Sequence, residues 1–320
     1  KFIKIWTPIL CVILVLAIVA TYAMNFFSVT METQLGRGER VETAPEGAAS
    51  LDLKFYDTQV DDLDQMTDAV ALAIAEEGEV LMKNNGVLPL AEGSNVTPFG
   101  YRYLNPVYGG TGSGNVNTSS PRIVSAQAAL TKHFSINSDM ESALNSTSPR
   151  ALNAEGFARA NESGGFEGAG TTIIEYPADT YNGHESGCAD TVGIVFIGRI
   201  GGEGSDVTAD VEGSTIYGTG YSDGTAHQLA LSEDEKEMIR FAKANCSSVV
   251  VILNTANVME ISELVQDGGE LSADAILWVG DPGAQGFEAM GNILSGQANP
   301  SGKTVDIWMT DLMENPVMRN

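Results

Sequence analysis

The chain has 320 residues, enough for one large domain or two of ordinary size. Its 42 acidic and 17 basic residues give a formal net charge of −25, which would repel a phosphate backbone and disfavours nucleic-acid binding. The three cysteines (Cys11, Cys188 and Cys246) and the three histidines are too scattered along the chain to predict a disulfide framework or a metal site.

The N-terminal segment is uncharged from Ile5 to Met31. A helix over Ile5–Phe27 would be about 34 Å long, enough to span the hydrocarbon core of a bilayer. We therefore predict a membrane anchor within residues 1–31. The competing interpretation is a cleaved signal peptide, whose apolar region is normally only about 7–15 residues long. Two basic residues flank each end of the span, so charge does not decide its orientation. We expect a single-pass protein with its globular part outside the cell membrane.

Residues 32–60 form a predicted linker, and an amphipathic helix is predicted over 61–83. Bare apolar runs then predict strands covered on both faces, as in a parallel sheet, and helical patterns lie between them. Ser232 and Glu235 have the spacing of a capping box. The predicted strands are Val96–Phe99, Thr172–Ile174, Val192–Ile197, Val249–Leu253 and Ala275–Val279, and the predicted helices are Ser125–His133, Ser232–Lys243, Met259–Val265 and Gln285–Leu294.

The alternation predicts a three-layer α/β/α sandwich with a mostly parallel sheet over residues 61–310, followed by a tail at 311–320. The clearest candidate for a functional site in this sandwich is the loop Gly198–Asp206. It follows an apolar strand and places one carboxylate, Glu203, among four glycines, which let a ligand approach the backbone closely. Open α/β sheets build their sites at the carboxyl ends of strands. A solvated loop carboxylate is the ordinary alternative.

Two other glycine-rich loops fail as nucleotide sites. The loop Gly109–Gly114 has the wrong glycine spacing for a dinucleotide fingerprint and does not directly follow a strand. The loop Gly296–Thr304 has five residues between its glycines, where a phosphate loop needs four, and contains a proline. The sequence contains no Gly-x-Ser-x-Gly motif, so no local motif indicates a serine hydrolase. We expect the chain to use no cofactor.

Five segments, in order, resemble the α/β-sandwich domain of glycoside hydrolase family 3, the β-glucosidase type. The resemblance covers about three quarters of the chain. The segments are Ala75–Leu90, Gly109–Val116, Gly198–Asp206, Ala275–Gly280 together with Pro282–Gly286, and Asn299–Lys303.

The resemblance implies an active site between this sandwich and a (β/α)8 barrel that supplies an aspartate nucleophile. Glu203 occupies the position of the family's general acid/base, and Gly202, Gly204 and Asp206 would lie near the substrate. The family usually has arginine after this loop's aspartate, whereas Val207 stands here. A barrel of about 250 residues does not fit beside the sandwich in 320 residues. An anchor leading straight into the sandwich fits members with the reversed domain order, in which the barrel follows.

The resulting hypothesis is a membrane-anchored retaining β-glycosidase, of which this chain carries the acid/base domain. The expected partners are a β-glycoside or oligosaccharide, a barrel domain in cis or trans, and the lipid bilayer through Ile5–Phe27. A non-catalytic, membrane-tethered carbohydrate-binding or assembly subunit is the alternative.

Overall fold

A computed structural model describes residues 2–27, 60–110, 112–152, 173–201, 225 and 227–312. The chain divides into two compact units, Lys1–Thr58 and Gln59–Asn320. In the first unit, helix α1 spans Phe2–Phe26 and has Pro8 in its first turns. Its mean hydropathy reaches 2.6 over 18 residues, so it is long and apolar enough to cross a membrane, a test that a signal sequence also passes.

The second unit alternates strands and helices. Its strands are β1 (Val80–Asn84), β2 (Asn95–Phe99), β3 (Ser135–Ile136), β4 (Arg150–Leu152), β5 (Ile173–Glu175), β6 (Val192–Arg199), β7 (Ser248–Thr255) and β8 (Ala275–Trp278). Its helices are α2 (Val60–Gly78), α3 (Tyr101–Leu104), α4 (Ala126–His133), α5 (Ser138–Ser146), α6 (Glu185–Cys188), α7 (Glu233–Asn245), α8 (Ser262–Val265) and α9 (Gly286–Ser295), with short 3-10 turns at Gly112–Gly114 and Ala178–Tyr181.

Six of these strands form one mixed sheet in the order β1-β8-β7-β6-β2-β3. The pairings among β8, β7, β6, β2 and β3 are parallel, and β1 joins β8 antiparallel. Successive residues of β6 and β7 point to opposite faces, yet those from Ile194 to Ile197 and from Val250 to Leu253 are all fully buried. Both faces of the central strands are therefore covered, as their bare apolar sequences predict.

Helices pack on this sheet and on one another. Helix α7 packs on β6 and β7, and α9 packs against α2 and α4. The predicted capping box is confirmed, because the Ser232 hydroxyl accepts from the Glu235 N–H while the Glu235 carboxylate accepts from the Ser232 N–H. Ser125 caps α4 with its side chain alone, which accepts from the Ala128 N–H. The helix predicted over Met259–Val265 is shorter and begins at Ser262.

The helix predicted over residues 61–83 is wrong in its last part. Helix α2 ends at Gly78, and the next residues form strand β1 along the edge of β8. Glycine is a poor helix residue, and the backbone beyond it gains hydrogen bonds from a strand that is distant in sequence. The strand predicted over Thr172–Ile174 is present as β5, but its expected place in the parallel sheet is wrong, because it pairs antiparallel with β4 in a separate two-stranded sheet.

At the junction between α2 and β1, Glu79 is buried without a hydrogen-bond partner for either carboxyl oxygen. Burial, and then the nearby charge of Glu76, raise the pKa of Glu79 well above its ordinary value. The folded state therefore holds a proton that the unfolded chain releases near pH 4. The contribution of Glu79 to stability is therefore greatest below that pH and is lost as the pH rises toward its folded pKa.

We expect Glu79→Leu to raise the free energy of unfolding at pH 7 by about 1–3 kcal/mol, because an unpaired buried polar group is removed. Thermal unfolding of the full chain in mild detergent, followed from pH 4 to pH 9, measures the effect. The variant should lose part of the decline of stability with rising pH. Glu77→Leu, at an exposed neighbouring position, should change stability by only about 0.5 kcal/mol. A less stable Glu79→Leu variant at pH 7 would contradict the prediction.

Candidate active site

The carboxyl ends of β2, β6, β7 and β8 meet at one edge of the sheet, from which the Gly198–Asp206 loop leaves. Glycine is needed where chains approach closely there. A side chain at Gly100, whose φ is +94°, would overlap the carbonyl oxygen of Phe196. A Cβ at Gly198 would lie 2.6 Å from the carbonyl oxygen of Asn254 and 2.9 Å from Cγ of Arg102. These glycines let the edge pack densely.

Asn254, near the carboxyl end of β7, joins two loops to this edge. It is fully buried. Its Oδ1 accepts from the Val107 N–H at 2.7 Å, and its Nδ2 donates to the carbonyl oxygens of Val107 at 2.8 Å and Gly280 at 2.7 Å. Gly283 N–H also donates to the Tyr108 carbonyl at 2.7 Å. The chain leading into the Gly109–Gly114 loop therefore lies beside the loop that follows β8.

Arg199, the last residue of β6, contacts the chain on the far side of residues 202–226, which contain the predicted site residues and which we call the candidate catalytic loop. Its Nε donates to the Gln228 carbonyl at 2.5 Å, and its Nη2 donates to the Ala230 carbonyl at 2.8 Å. Nη1 and Nη2 bind the Glu235 carboxylate at 2.6 and 2.8 Å, and both side chains are almost wholly buried. We call the Arg199–Glu235 pair, with the Gln228 and Ala230 carbonyls, the Arg199 clamp. It joins the chain entering residues 202–226 to the chain leaving them.

A second arginine lies close to the Arg199 clamp. Arg102 is buried, its Nη1 donates to the Asn105 carbonyl at 3.3 Å, and its Nε and Nη2 have no hydrogen-bond partner. Burial lowers the pKa of Arg102, and the nearby charge of Arg199 also lowers it. Glu175, at the end of β5, accepts from the N–H groups of Tyr101 and Tyr176. Burial and the charge of Glu235 raise the pKa of Glu175 to about 8, so it holds a proton at neutral pH.

Asp281 follows β8 at the same edge and is only half-buried, although its Oδ1 is buried without a partner. Burial raises the pKa of Asp281 to about 6, and the Arg102 guanidinium opposes that rise. A carboxyl group with such a pKa can both give and take a proton near neutrality. Asp281 was not among the residues predicted from the sequence, although it lies between the family-like segments Ala275–Gly280 and Pro282–Gly286, because its burial and its position beside Arg102 depend on distant parts of the chain.

The predicted site residues Gly202, Glu203, Gly204 and Asp206 lie outside the described residues. The last described residue before them is Gly201, where a Cβ would lie 3.2 Å from Nδ2 of Asn257. After them, His227 Nε2 lies 3.1 Å from Oε1 of Glu260. Within the described ranges, no group of three or more His, Cys, Asp or Glu side chains is arranged to hold a metal ion.

Residues 79–320 match the glycosyl hydrolase family 3 C-terminal domain. The chain belongs to this family. The chain is 29% identical over 257 residues to beta-glucosidase A of Butyrivibrio fibrisolvens and 26% identical over 250 residues to a beta-glucosidase of Ruminococcus albus. These matches cover 75% and 78% of this chain, but only 28% and 24% of the relatives.

The structure is also similar to that of a beta-glucosidase from Paenibacillus barengoltzii, with a TM-score of 0.59 and 25% identity, over 78% of this chain and 25% of the other. The family 3 domain described here therefore spans about a quarter of the length of the proteins it matches. The family predicted from the five sequence segments is confirmed. The α/β fold is confirmed as well, as a mixed sheet with helices like that of the family's C-terminal domain.

We expect Glu235→Gln to lower the free energy of unfolding by about 3 kcal/mol, because it leaves the charge of Arg199 buried without a counter-ion. Glutamine can still accept from the Ser232 N–H, so the capping box is largely kept. Glu237→Gln is the matched control on the same helix. Glu237 pairs with Arg240 on the exposed surface, where an ion pair contributes less than about 1 kcal/mol. Equal losses of stability in the two variants, measured by thermal unfolding, would refute the importance of the Arg199 clamp.

Proposed function

We propose that this chain is the α/β-sandwich domain of a membrane-anchored retaining β-glycosidase, and that it supplies the general acid/base Glu203. The nucleophile comes from a (β/α)8 barrel domain, in cis or in trans, and the substrate is a β-glycoside or oligosaccharide. The family match over residues 79–320 carries the proposal. The beta-glucosidases among its relatives indicate the class of reaction.

The architecture of the carboxyl edge supports the role of Glu203. Residue 203 lies four residues beyond Arg199, which is fixed by a buried ion pair and by backbone carbonyls. The segment containing Glu203 therefore starts and ends at a rigid part of the sheet edge. Gly202 and Gly204 would let a sugar approach the backbone, and Asp206 would contact it.

The proposed reaction needs two carboxyl groups about 5–5.5 Å apart. In the first step the barrel aspartate attacks the anomeric carbon while Glu203 protonates the departing glycosidic oxygen. In the second step Glu203 removes a proton from water, which attacks the anomeric carbon and releases the aspartate. Glu203 must therefore donate a proton in the first step and accept one in the second.

Helix α1 is the proposed membrane anchor. Its 25 residues would be about 37 Å long, and it contains no acidic residue and one basic residue, Lys4, near its start. In this arrangement the sandwich and its substrate lie on the outer side of the membrane.

The acid/base role predicts how the holoenzyme, with its barrel domain, responds to Glu203→Gln. Hydrolysis of substrates with poor leaving groups should fall about 100-fold or more, because these need protonation, whereas activated aryl glycosides should still form the glycosyl-enzyme. Azide, which needs no general base, should restore turnover of the activated substrate and give a β-glycosyl azide. Rates measured for a series of aryl leaving groups provide the test.

Two further variants make this result decisive. Glu212→Gln removes another carboxylate, nine positions after Glu203 in the sequence, and should leave the rates unchanged. Asp281→Asn removes the described carboxyl group that could compete for the role. Leaving-group dependence and azide rescue in Asp281→Asn, but not in Glu203→Gln, would transfer the role to Asp281. If neither variant altered the hydrolysis of any substrate that the wild type cleaves, the acid/base proposal would be wrong.

The anchor predicts that the full chain stays with membranes after an alkaline carbonate wash, because such a wash does not release a spanning helix. Deleting residues 2–27 should release the protein, whereas deleting residues 33–58, a segment of equal length, should not. The measurement is the fraction of chain in the washed pellet. A mature protein that lacks its N-terminal peptide, with cleavage near Ala23, would identify the segment as a signal peptide instead.

A further inference from the structure

The opposite, amino edge of the sheet brings together two cysteines that are 58 positions apart in sequence. Cys188 ends helix α6, and Cys246 is the C-cap of helix α7. Each residue lies shortly before the start of a strand, and the two strands, β6 and β7, are parallel neighbours with Val192 opposite Ser248. The strand register therefore places the two helix ends side by side.

Thr191 joins the two segments that carry these cysteines. Its N–H and its hydroxyl both donate to the Cys188 carbonyl, at 3.1 and 2.8 Å, and its own carbonyl accepts from the Ser247 N–H at 2.8 Å. The Thr191 Oγ1 lies 3.7 Å from Sγ of Cys246. A Cβ on Gly193 would lie 3.2 Å from the same sulfur, so the thiol fills the space above that glycine. The backbone thus fixes both cysteines.

The Cys188 thiol donates to the His184 carbonyl at 3.4 Å, and the Cys246 sulfur lies beside Thr191, so both side chains lie in one small region of the amino edge, where each affects the pKa of the other. Cys188 is fully buried, and Cys246 is half-buried. The neighbouring Cys246 side chain, helped by Thr97 and by the charge of His184, lowers the pKa of the Cys188 thiol against the effects of burial and of Glu185. The neighbouring Cys188 side chain, together with burial, raises the pKa of the Cys246 thiol. Cys246 is therefore the more accessible sulfur, and an external disulfide reagent would reach it first.

From this geometry we infer that Cys188 and Cys246 form an intramolecular disulfide when the domain meets an oxidising disulfide reagent. The bond would link the end of α6 to the end of α7 and close a loop that contains β6 and the whole candidate catalytic loop. A covalent link that closes so long a loop stabilises mainly by restricting the unfolded chain. An oxidising location such as the outer side of a cell membrane is where such bonds persist.

Oxidation by a low-molecular-weight disulfide such as glutathione disulfide proceeds in two exchanges. The Cys246 thiol loses its proton to solvent, and its sulfur attacks one sulfur of the reagent, so that one reduced thiol departs and a mixed disulfide remains. The Cys188 thiolate then attacks Sγ of Cys246 and expels the second reduced thiol. Two S–H bonds are lost and one S–S bond forms in the protein, while the reagent's S–S bond is reduced to two thiols.

The test uses the folded full chain in detergent, equilibrated with glutathione buffers from fully reducing to fully oxidising. Free thiols are then alkylated, and tryptic peptides are mapped by mass spectrometry. Cys188 lies in the peptide of residues 160–199 and Cys246 in that of residues 244–303. We expect these two peptides to become cross-linked under oxidising conditions, while Cys11 remains available for alkylation.

Thermal unfolding provides an independent readout. Oxidation should raise the melting temperature by several degrees in the wild type and in Cys11→Ser, but not in Cys188→Ser or Cys246→Ser. Because the peptide map is made on the wild type, the test does not depend on the serine variants folding. Three results would overturn the inference: both cysteines alkylated after equilibration in the oxidising buffer, glutathione retained on Cys246 alone, or a cross-link to Cys11 or between two chains.

Discussion

The buried ion pair between Arg199 and Glu235 is the interaction on which the carboxyl edge of the sheet depends. A charge removed from water is costly unless its hydrogen-bonding groups are satisfied, and here each nitrogen of the Arg199 guanidinium donates to an oxygen. Glu235 is also part of the capping box of α7. The helix start, the end of β6 and the return of the candidate catalytic loop are therefore fixed by one set of contacts.

Arg102 differs from Arg199 in how many of its guanidinium nitrogens have hydrogen-bond partners. It is buried as deeply at the same edge, but two of its nitrogens have no hydrogen-bond partner, and its acidic neighbour Glu175 holds a proton at neutral pH. The two arginines therefore have different roles in the electrostatics of the edge. Arg199 is neutralised locally by Glu235, whereas the charge of Arg102 lowers the pKa of Asp281. The charge of Arg102 thus offsets only part of the rise that burial causes in the pKa of Asp281.

The sequence predicted those features that depend on neighbouring residues. The apolar runs of β6, β7 and β8, the capping box at Ser232 and the family resemblance could be read within short windows. The features that it missed are pairings between distant segments. The edge strand β1 depends on β8, the position of β5 depends on β4, and the partners of Arg199 and Asn254 lie many residues away. The cysteines are scattered in sequence, yet the β6–β7 register brings Cys188 and Cys246 together.

The register of β6 and β7 also places the cysteine pair and the Arg199 clamp at opposite edges of the sheet. Since β6 and β7 are parallel, their amino ends lie at one edge with the cysteine pair and their carboxyl ends at the other with the Arg199 clamp. A disulfide between Cys188 and Cys246 would thus stabilise the base of both strands without touching the carboxyl edge. That separation matters for the proposed glycosidase, because a retaining mechanism tolerates little error in the distance between its two carboxyl groups. In that proposal the nucleophile lies on another domain, so the sandwich would have to hold Glu203 from its own sheet, and the Arg199 clamp would fix the two ends of the chain that carries it.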